Sequence, residues 1–185
     1  PNSMGLYYPR ERISFNYDLP LEPGPVGAII QSGGIAGELV RHAALKGIRF
    51  SKVISYGNAS DLNESDFLEY FLWDEETRII ALYIEGVRDG RRFFKLLRQL
   101  TFRKPVIILK GGRSIAVVRY VASHTASLAG STDIWETVFR QSKVIQASSF
   151  NEFVDLTTAF CFIPPLVGKR VGIVGGGGGK SVLAA

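Results

Sequence analysis

Val26-Gly27-Ala28-Ile29-Ile30-Gln31-Ser32-Gly33-Gly34 is the stretch from which the fold can be read. A short run with almost no polar interruption suits a strand buried on both faces, where each side of the sheet takes an apolar side chain. Gly33-Gly34 break the run. Apolar residues then recur at Ile35, Leu39, Ala43 and Leu45, the spacing of one helix face, and Gly47 suits the C-terminal cap. His42 lies in this helix beside Arg41 and reads as a helix-surface or boundary residue.

The alternation continues downstream. Residues 52–56 read as a second strand, followed by the turn Gly57-Asn58-Ala59 and a helix over 64–73 behind the cap residue Asn63. Residues 78–84 form the third strand, 89–102 a helix, and 106–109 the fourth strand, with Pro105 at a strand start where proline is tolerated. After a long segment over 110–131 come a helix over 133–141, a short strand over 144–146 and a helix over 150–161. Parallel neighbours need long crossovers, and the helices supply them. The expected fold class is therefore α/β, a flavodoxin-like doubly wound parallel sheet of five strands in the order 2-1-3-4-5.

Residues 1–25 contain Pro1, Pro9, Pro20, Pro23 and Pro25. Each proline removes a backbone donor and fixes φ, so an extended, irregular arm or linker is expected there. The main domain is expected over 26–165, closed by the hinge Pro164-Pro165, with 166–185 starting a second α/β domain. The sequence opens without Met at position 1 and stops just after a new strand-turn unit begins, which reads as a piece of a longer protein.

Of the 185 residues, 46% are hydrophobic and 21% charged, and no apolar run approaches the roughly 20 residues of a membrane span. A soluble cytoplasmic protein with no membrane partner is expected. The formal charge of +5 raises the question of nucleic acid. The basic residues are dispersed, however, and the densest run, 88–103, falls on a helix and reads as a solvated face, so no nucleic-acid partner is expected. The single Cys161 excludes an internal disulfide and a cysteine-built metal site.

In the 2-1-3-4-5 order, ligands bind outside the carboxyl ends of strands 1 and 3, whose connections leave toward opposite faces. Strand 1 ends at Gln31-Ser32-Gly33-Gly34, and the first N–H groups of the helix that follows lack internal partners and favour an anion. A plain strand-to-helix turn fits those residues equally well. Strand 3 ends at Glu85-Gly86, where the carboxylate is either an exposed loop acid or an orienting partner for a base. Strand 4 runs into the segment 110–131, and loops longer than about 12–15 residues are uncommon unless functional or disordered. That segment carries Ala122-Ser123-His124-Thr125-Ala126-Ser127-Leu128-Ala129-Gly130. A nucleophilic imidazole, a carboxylate fixing its tautomer and a helix start holding phosphate oxygens are what a phosphohistidine site needs. Other chemistries fit less well. His42 and His124 share no metal-ligand spacing, so no metal site is expected. Gln31-Ser32-Gly33 lacks the flanking glycine of a nucleophile elbow. Gly175 to Gly179 before Lys180-Ser181 misses the phosphate-binding loop pattern, because Val174 stands where its first glycine belongs. A receiver domain would need acidic residues where Gln31 stands and an aspartate at Glu85.

Several stretches together resemble the NDP-forming acyl-CoA synthetases, relatives of the succinyl-CoA synthetase alpha subunit. They are Pro1-Asn2-Ser3-Met4-Gly5, Gly24-Pro25-Val26 with Gln31-Ser32-Gly33, Gly57-Asn58 with Asp61, Tyr83-Ile84-Glu85-Gly86, Lys104-Pro105, Lys110 with Gly112-Arg113, the Ser123-His124-Thr125 element through Gly130, and the final glycine run. The resemblance implies an acid-thiol ligase that interconverts acyl-CoA, ADP and phosphate with free acid, ATP and CoA through an acyl phosphate and a phosphohistidine. His124 then matches the phosphorylated histidine and Glu85 the acid that orients it. Ser32, Gly33, Gly34, Ser123 and Thr125 match phosphate-binding positions, and Gly57 and Asn58 cofactor-binding ones. CoA and ATP or ADP with Mg are implied mainly on other domains, an N-terminal CoA-binding domain and an ATP-grasp domain or subunit, in an oligomer. Ala126 replaces the glycine usual after the Ser-His-Thr element, and Val174-Gly175 the common Thr-Asn. Related regions also occur fused to protein acetyltransferases, so the alternative is a non-catalytic regulatory module of such an enzyme.

Overall fold

The apolar run opening at Val26 is the second strand of a six-stranded sheet. The computed structural model describes residues 1–112, 132–164, 168, 172, 177–179 and 182. The strands are β1 (Gly5–Tyr7), β2 (Val26–Ile30), β3 (Phe50–Ser55), β4 (Ile79–Ile84), β5 (Val106–Lys110) and β6 (Ile145–Ala147). The helices are α1 (Gly33–Leu45), α2 (Glu64–Trp73), α3 (Gly90–Thr101), α4 (Thr132–Ser142) and α5 (Phe150–Phe162). The sheet order is β1-β3-β2-β4-β5-β6, with β2 to β6 all parallel to their neighbours. The five central strands thus follow the expected 2-1-3-4-5 order.

The sixth strand was not expected. Gly5–Tyr7 lies antiparallel on β3, pairing Gly5 with Ser55 and Tyr7 with Val53. The N-terminal arm is therefore not irregular throughout, because its prolines leave residues 5–7 with every N–H available for a sheet edge. Tyr7 and Leu19 of the arm are buried.

Alternation along the strands sorts the core into two layers. Ala28, Ile30, Ile79, Ala81, Ile107 and Leu109 pack with Leu39, Val40 and Ala43 of α1 and Phe153 and Val154 of α5. Ile29, Ile80, Leu82, Ile84, Val106 and Ile108 pack with Leu68 and Phe71 of α2, Phe93, Leu97 and Leu100 of α3, and Trp135 and Phe139 of α4. Helices on both faces explain why β2 and β5 are buried at every position.

Local capping sets the helix limits. Helix α1 begins at Gly33 rather than Ile35, because Ser32 caps it with its hydroxyl toward the Ile35 N–H at 3.4 Å. Gly47, at φ +79°, closes that helix. At α2, Asn63 Oδ1 accepts from the Ser65 N–H at 2.9 Å, while the Asn63 N–H donates to Asp66 Oδ2 at 2.9 Å. Such reciprocal caps are each worth roughly 0.5–2 kcal/mol. The 166–185 region lies almost wholly outside the described residues.

Candidate functional site

The carboxyl ends of β2 and β4 lie side by side, with Ile30 opposite Tyr83. Their connections leave toward opposite faces, through α1 and α3, which opens a crevice at this edge. Gln31, the residue just past β2, spans it. Its Oε1 accepts from the Glu85 N–H at 2.6 Å and the Gly86 N–H at 3.2 Å, and its own N–H donates to Tyr83 O at 3.0 Å. Gln31 therefore fixes where the Glu85 backbone sits.

Glu85 is only 8% exposed, so it is not the exposed loop acid that the residues alone allowed. Its Oε1 accepts from Tyr83 Oη at 3.1 Å, while its Oε2 is buried with no hydrogen-bond partner among the described residues. A buried carboxylate oxygen without a partner is costly, and this one is placed to receive a donor. Burial pushes the Tyr83 hydroxyl well above its ordinary pKa, and the charge and hydrogen bond of Glu85 push it the same way, so Tyr83 remains a donor. Lys110, at the end of β5, donates from Nζ to Glu85 O at 2.8 Å and also to Gly111 O. The ammonium lies 5.2 Å from the Trp135 ring centroid, a cation–π contact. A β-carbon on Gly111 would sit 2.6 Å from Tyr83 Oη, so a residue without a side chain is what lets β5 approach this pair.

Around the same edge, Glu64 is buried and its Oε1 accepts from the Arg88 N–H at 3.1 Å. Burial raises the Glu64 pKa, partly offset by backbone hydrogen bonds. Tyr56 packs against Phe67 with ring centroids 5.7 Å apart, and its buried hydroxyl has no partner among the described residues. Burial pushes the Tyr56 pKa well up, and the nearby Glu64, Glu85 and Tyr83 add to the effect.

The helix start is next to Glu85 through Gln31. In the first turn of α1, the Gly33 N–H donates to Asn2 O at 2.9 Å, the Ile35 N–H to Ser32 Oγ, and the Ala36 N–H to Ser32 O at 3.0 Å. Gly34 is exposed, and its N–H has no partner among the described residues. A polar cavity of about 460 Å³ opens here, lined by Ser32, Gly33, Gly34, Arg41 and arm residues including Asn2 and Asn16. Arg41 holds Asp18, with Nε to Oδ2 at 2.6 Å.

Asn2 also ties in the third strand end. Its Nδ2 donates to Asn58 Oδ1 at 2.9 Å, and the Asn58 N–H donates to Pro1 O at 3.3 Å. Gly57, at φ +60°, packs against residues 1–3. Gly57 and Asn58 thus face the arm, while Ser32, Gly33, Gly34 and Glu85 form one neighbourhood. Ser123, His124 and Thr125 lie outside the described residues, as do most of the final glycines. His42 is exposed on α1, with its Nδ1 3.0 Å from Glu38 O and its ring edge-on to Phe150. Gln31, Tyr83 and Gly111 carry no mark of these roles in their residue types. Their contribution depends on parallel register, which residue types do not reveal.

Among the described residues no group of three His, Cys, Asp or Glu side chains is placed to hold a metal ion, and no helix is long and apolar enough to cross a membrane.

Residues 23–160 match the family described as the succinyl-CoA ligase like flavodoxin domain. Across its whole length the chain is 41% identical to 26% of an ADP-forming acetate–CoA ligase of Methanocaldococcus jannaschii. It is likewise 38% identical over its whole length to 40% of the alpha subunit of ADP-forming acetate–CoA ligase I of Pyrococcus furiosus. Among solved structures, the dinucleotide-forming acetyl-coenzyme A synthetase 1 of Ca. Korarchaeum cryptofilum, in complex with phosphate and ADP, superimposes with a TM-score of 0.79 at 35% identity, over 89% of this chain and 36% of that one. The chain thus spans about a quarter to two fifths of the length of these relatives.

Proposed function

This chain belongs to the succinyl-CoA ligase like flavodoxin domain family, and on that premise we propose that it is the phosphohistidine-carrying part of an NDP-forming acyl-CoA synthetase. The reaction is acyl-CoA, ADP and phosphate to carboxylic acid, ATP and CoA. The single observation that carries the reading is Glu85, buried beside the α1 start with Oε2 unpartnered among the described residues.

In the proposed cycle phosphate displaces CoA from the thioester, giving an acyl phosphate and free thiol. One imidazole nitrogen of His124 then attacks phosphorus. The N–P bond forms as the P–O bond to the acyl group breaks, and the carboxylate leaves. The other ring nitrogen keeps its proton and donates a hydrogen bond to Glu85 Oε2, which fixes the tautomer and offsets positive charge on the phosphorylated ring. The α1 start, with Ser32, Gly33 and Gly34, holds phosphate oxygens on its N–H groups, and Ser123 and Thr125 flank the histidine in sequence. ADP finally takes the phosphoryl group, so the N–P bond breaks and neutral imidazole returns. CoA and nucleotide with Mg are assigned mainly to an N-terminal CoA-binding domain and an ATP-grasp partner, with Gly57-Asn58 on the CoA side.

The test uses the complete protein, its ATP-grasp partner and γ-labelled ATP. Acid-labile label is expected on the wild type and is lost in His124→Asn. A variant that labels as well as wild type refutes the assignment. Glu85→Gln is expected to slow labelling by about a hundredfold to a thousandfold, the range seen when one charge-stabilising group is removed.

A further inference from the structure

We propose that Tyr83 is a positioning residue that anchors Glu85 by Oε1 and so reserves Oε2 for the histidine. The inference rests on the phosphohistidine reading and deepens it. The Glu85 main chain is pinned at both ends: its N–H and that of Gly86 go to Gln31 Oε1, and its carbonyl takes Lys110 Nζ. What remains to be fixed is rotation of the carboxylate. The bond from Tyr83 Oη to Oε1 at 3.1 Å supplies that restraint, and the tight approach of Gly111 to both side chains backs it from β5. Tyr83 and Glu85 are two residues apart around the end of β4, so they share the α1 side of the sheet.

The Tyr56 ring after β3 packs in the other layer, close enough to feel both Glu64 and Glu85, and Lys110 holds the Glu85 carbonyl on the side toward α4. Among the described residues, Tyr83 is the one that gives a hydrogen bond to the carboxylate. Tyr56 serves as the comparison, being a buried tyrosine near the same charge without that bond.

The experiment measures labelling rate against ATP concentration in the complete protein with its ATP-grasp partner, for wild type, Tyr83→Phe and Tyr56→Phe. Losing a hydrogen bond to a charged group changes a rate that depends on that group by about tenfold or more. Tyr83→Phe is therefore expected to lower the maximal labelling rate about tenfold while leaving the KM for ATP within about threefold of wild type. Tyr56→Phe is expected to leave both in place. An unchanged maximal rate, a loss that falls on KM, or an equal loss in both variants overturns the assignment. A second readout needs no phosphoryl transfer: the carbon-13 carboxyl resonance of Glu85, identified by its loss in Glu85→Gln, should move in Tyr83→Phe and stay in place in Tyr56→Phe. An unmoved resonance refutes the role of Tyr83. Wild-type protein that takes no label refutes the phosphohistidine reading instead, so the two failures are distinguishable.

Discussion

Substituting Gly111 by alanine drives a wedge into the candidate site, and its effect can be worked from distances. The new β-carbon would stand 2.6 Å from Tyr83 Oη, 3.1 Å from Tyr83 Cζ and 3.2 Å from Glu85 Cγ. Ordinary contact begins at 3.4 Å, so the hydroxyl must retreat by 3.4 − 2.6, about 0.8 Å. A retreat of that size takes the 3.1 Å bond to Glu85 out of hydrogen-bonding range unless the carboxylate follows. Overpacking of this kind costs about 1–3 kcal/mol. At about 2 kcal/mol the melting temperature should fall by roughly 4–8 °C. The assay is thermal and urea unfolding of Gly111→Ala, Tyr83→Phe and the double variant. Because the nearest clashing atom is the hydroxyl itself, adding Tyr83→Phe should recover part of the loss, giving a coupling of about 1 kcal/mol. Additive effects, or a Gly111→Ala protein as stable as wild type, would show that β5 does not press on this pair.

Two further expectations concern groups away from the reacting edge. Lys52 is nearly buried between Asp74 at 3.1 Å and Glu76, with its ammonium 4.7 Å from the Tyr8 ring centroid. Lys52→Met leaves these carboxylates facing an apolar side chain and should cost about 3 kcal/mol in urea unfolding, the lower end for a broken buried pair because Glu76 stays partly exposed. Burial opposes the Lys52 charge, but its hydrogen bonds to Glu76 and Asp74 outweigh it and raise the pKa, so this stabilisation holds below the ordinary lysine value and fades as pH rises through the raised one. The hydrogen bond from Lys52 lowers the Glu76 pKa, so its contribution holds above the ordinary glutamate value and fades as pH falls through the lowered one. In Lys52→Met both slopes should flatten, and unchanged slopes would exclude Lys52 as their source. Tyr56→Phe removes a buried hydroxyl with no partner among the described residues, so unfolding should show a change between zero and about 1 kcal/mol of added stability; a loss beyond 1 kcal/mol would mean that the hydroxyl is bonded.

The central sheet was legible because burial on both faces writes itself into sequence. Val26–Ile30 and Val106–Lys110 are almost uninterrupted apolar runs, and helices between such runs leave few arrangements. Strand β1 was not legible, since three residues between prolines carry no period and their partner, β3, lies some fifty residues on. Lys52 reads as a surface charge until Tyr8, Asp74 and Glu76 are brought round it from three separate segments. Glu85 was visible as a carboxylate at a strand end, but residue type alone left its exposure open. Burial and the Tyr83 bond resolve that choice, and both depend on β4 lying between β2 and β5.

That placement also sets the α1 start beside the carboxylate. Gln31 is the last residue before the α1 cap Ser32, and its amide oxygen carries the backbone of Glu85 and Gly86. A shift of the α1 start therefore moves the Glu85 anchor with it, at the cost of two backbone hydrogen bonds in a buried setting. Asn2 adds a third strand end by bonding Gly33 with its carbonyl and Asn58 with its side chain. A phosphoryl group arriving at Gly33 would compete with the Asn2 carbonyl for the same N–H, because one donor does not serve two acceptors at full strength. On the proposed reading, phosphate occupancy would therefore act on the arm through that N–H, and on the carboxylate through Gln31.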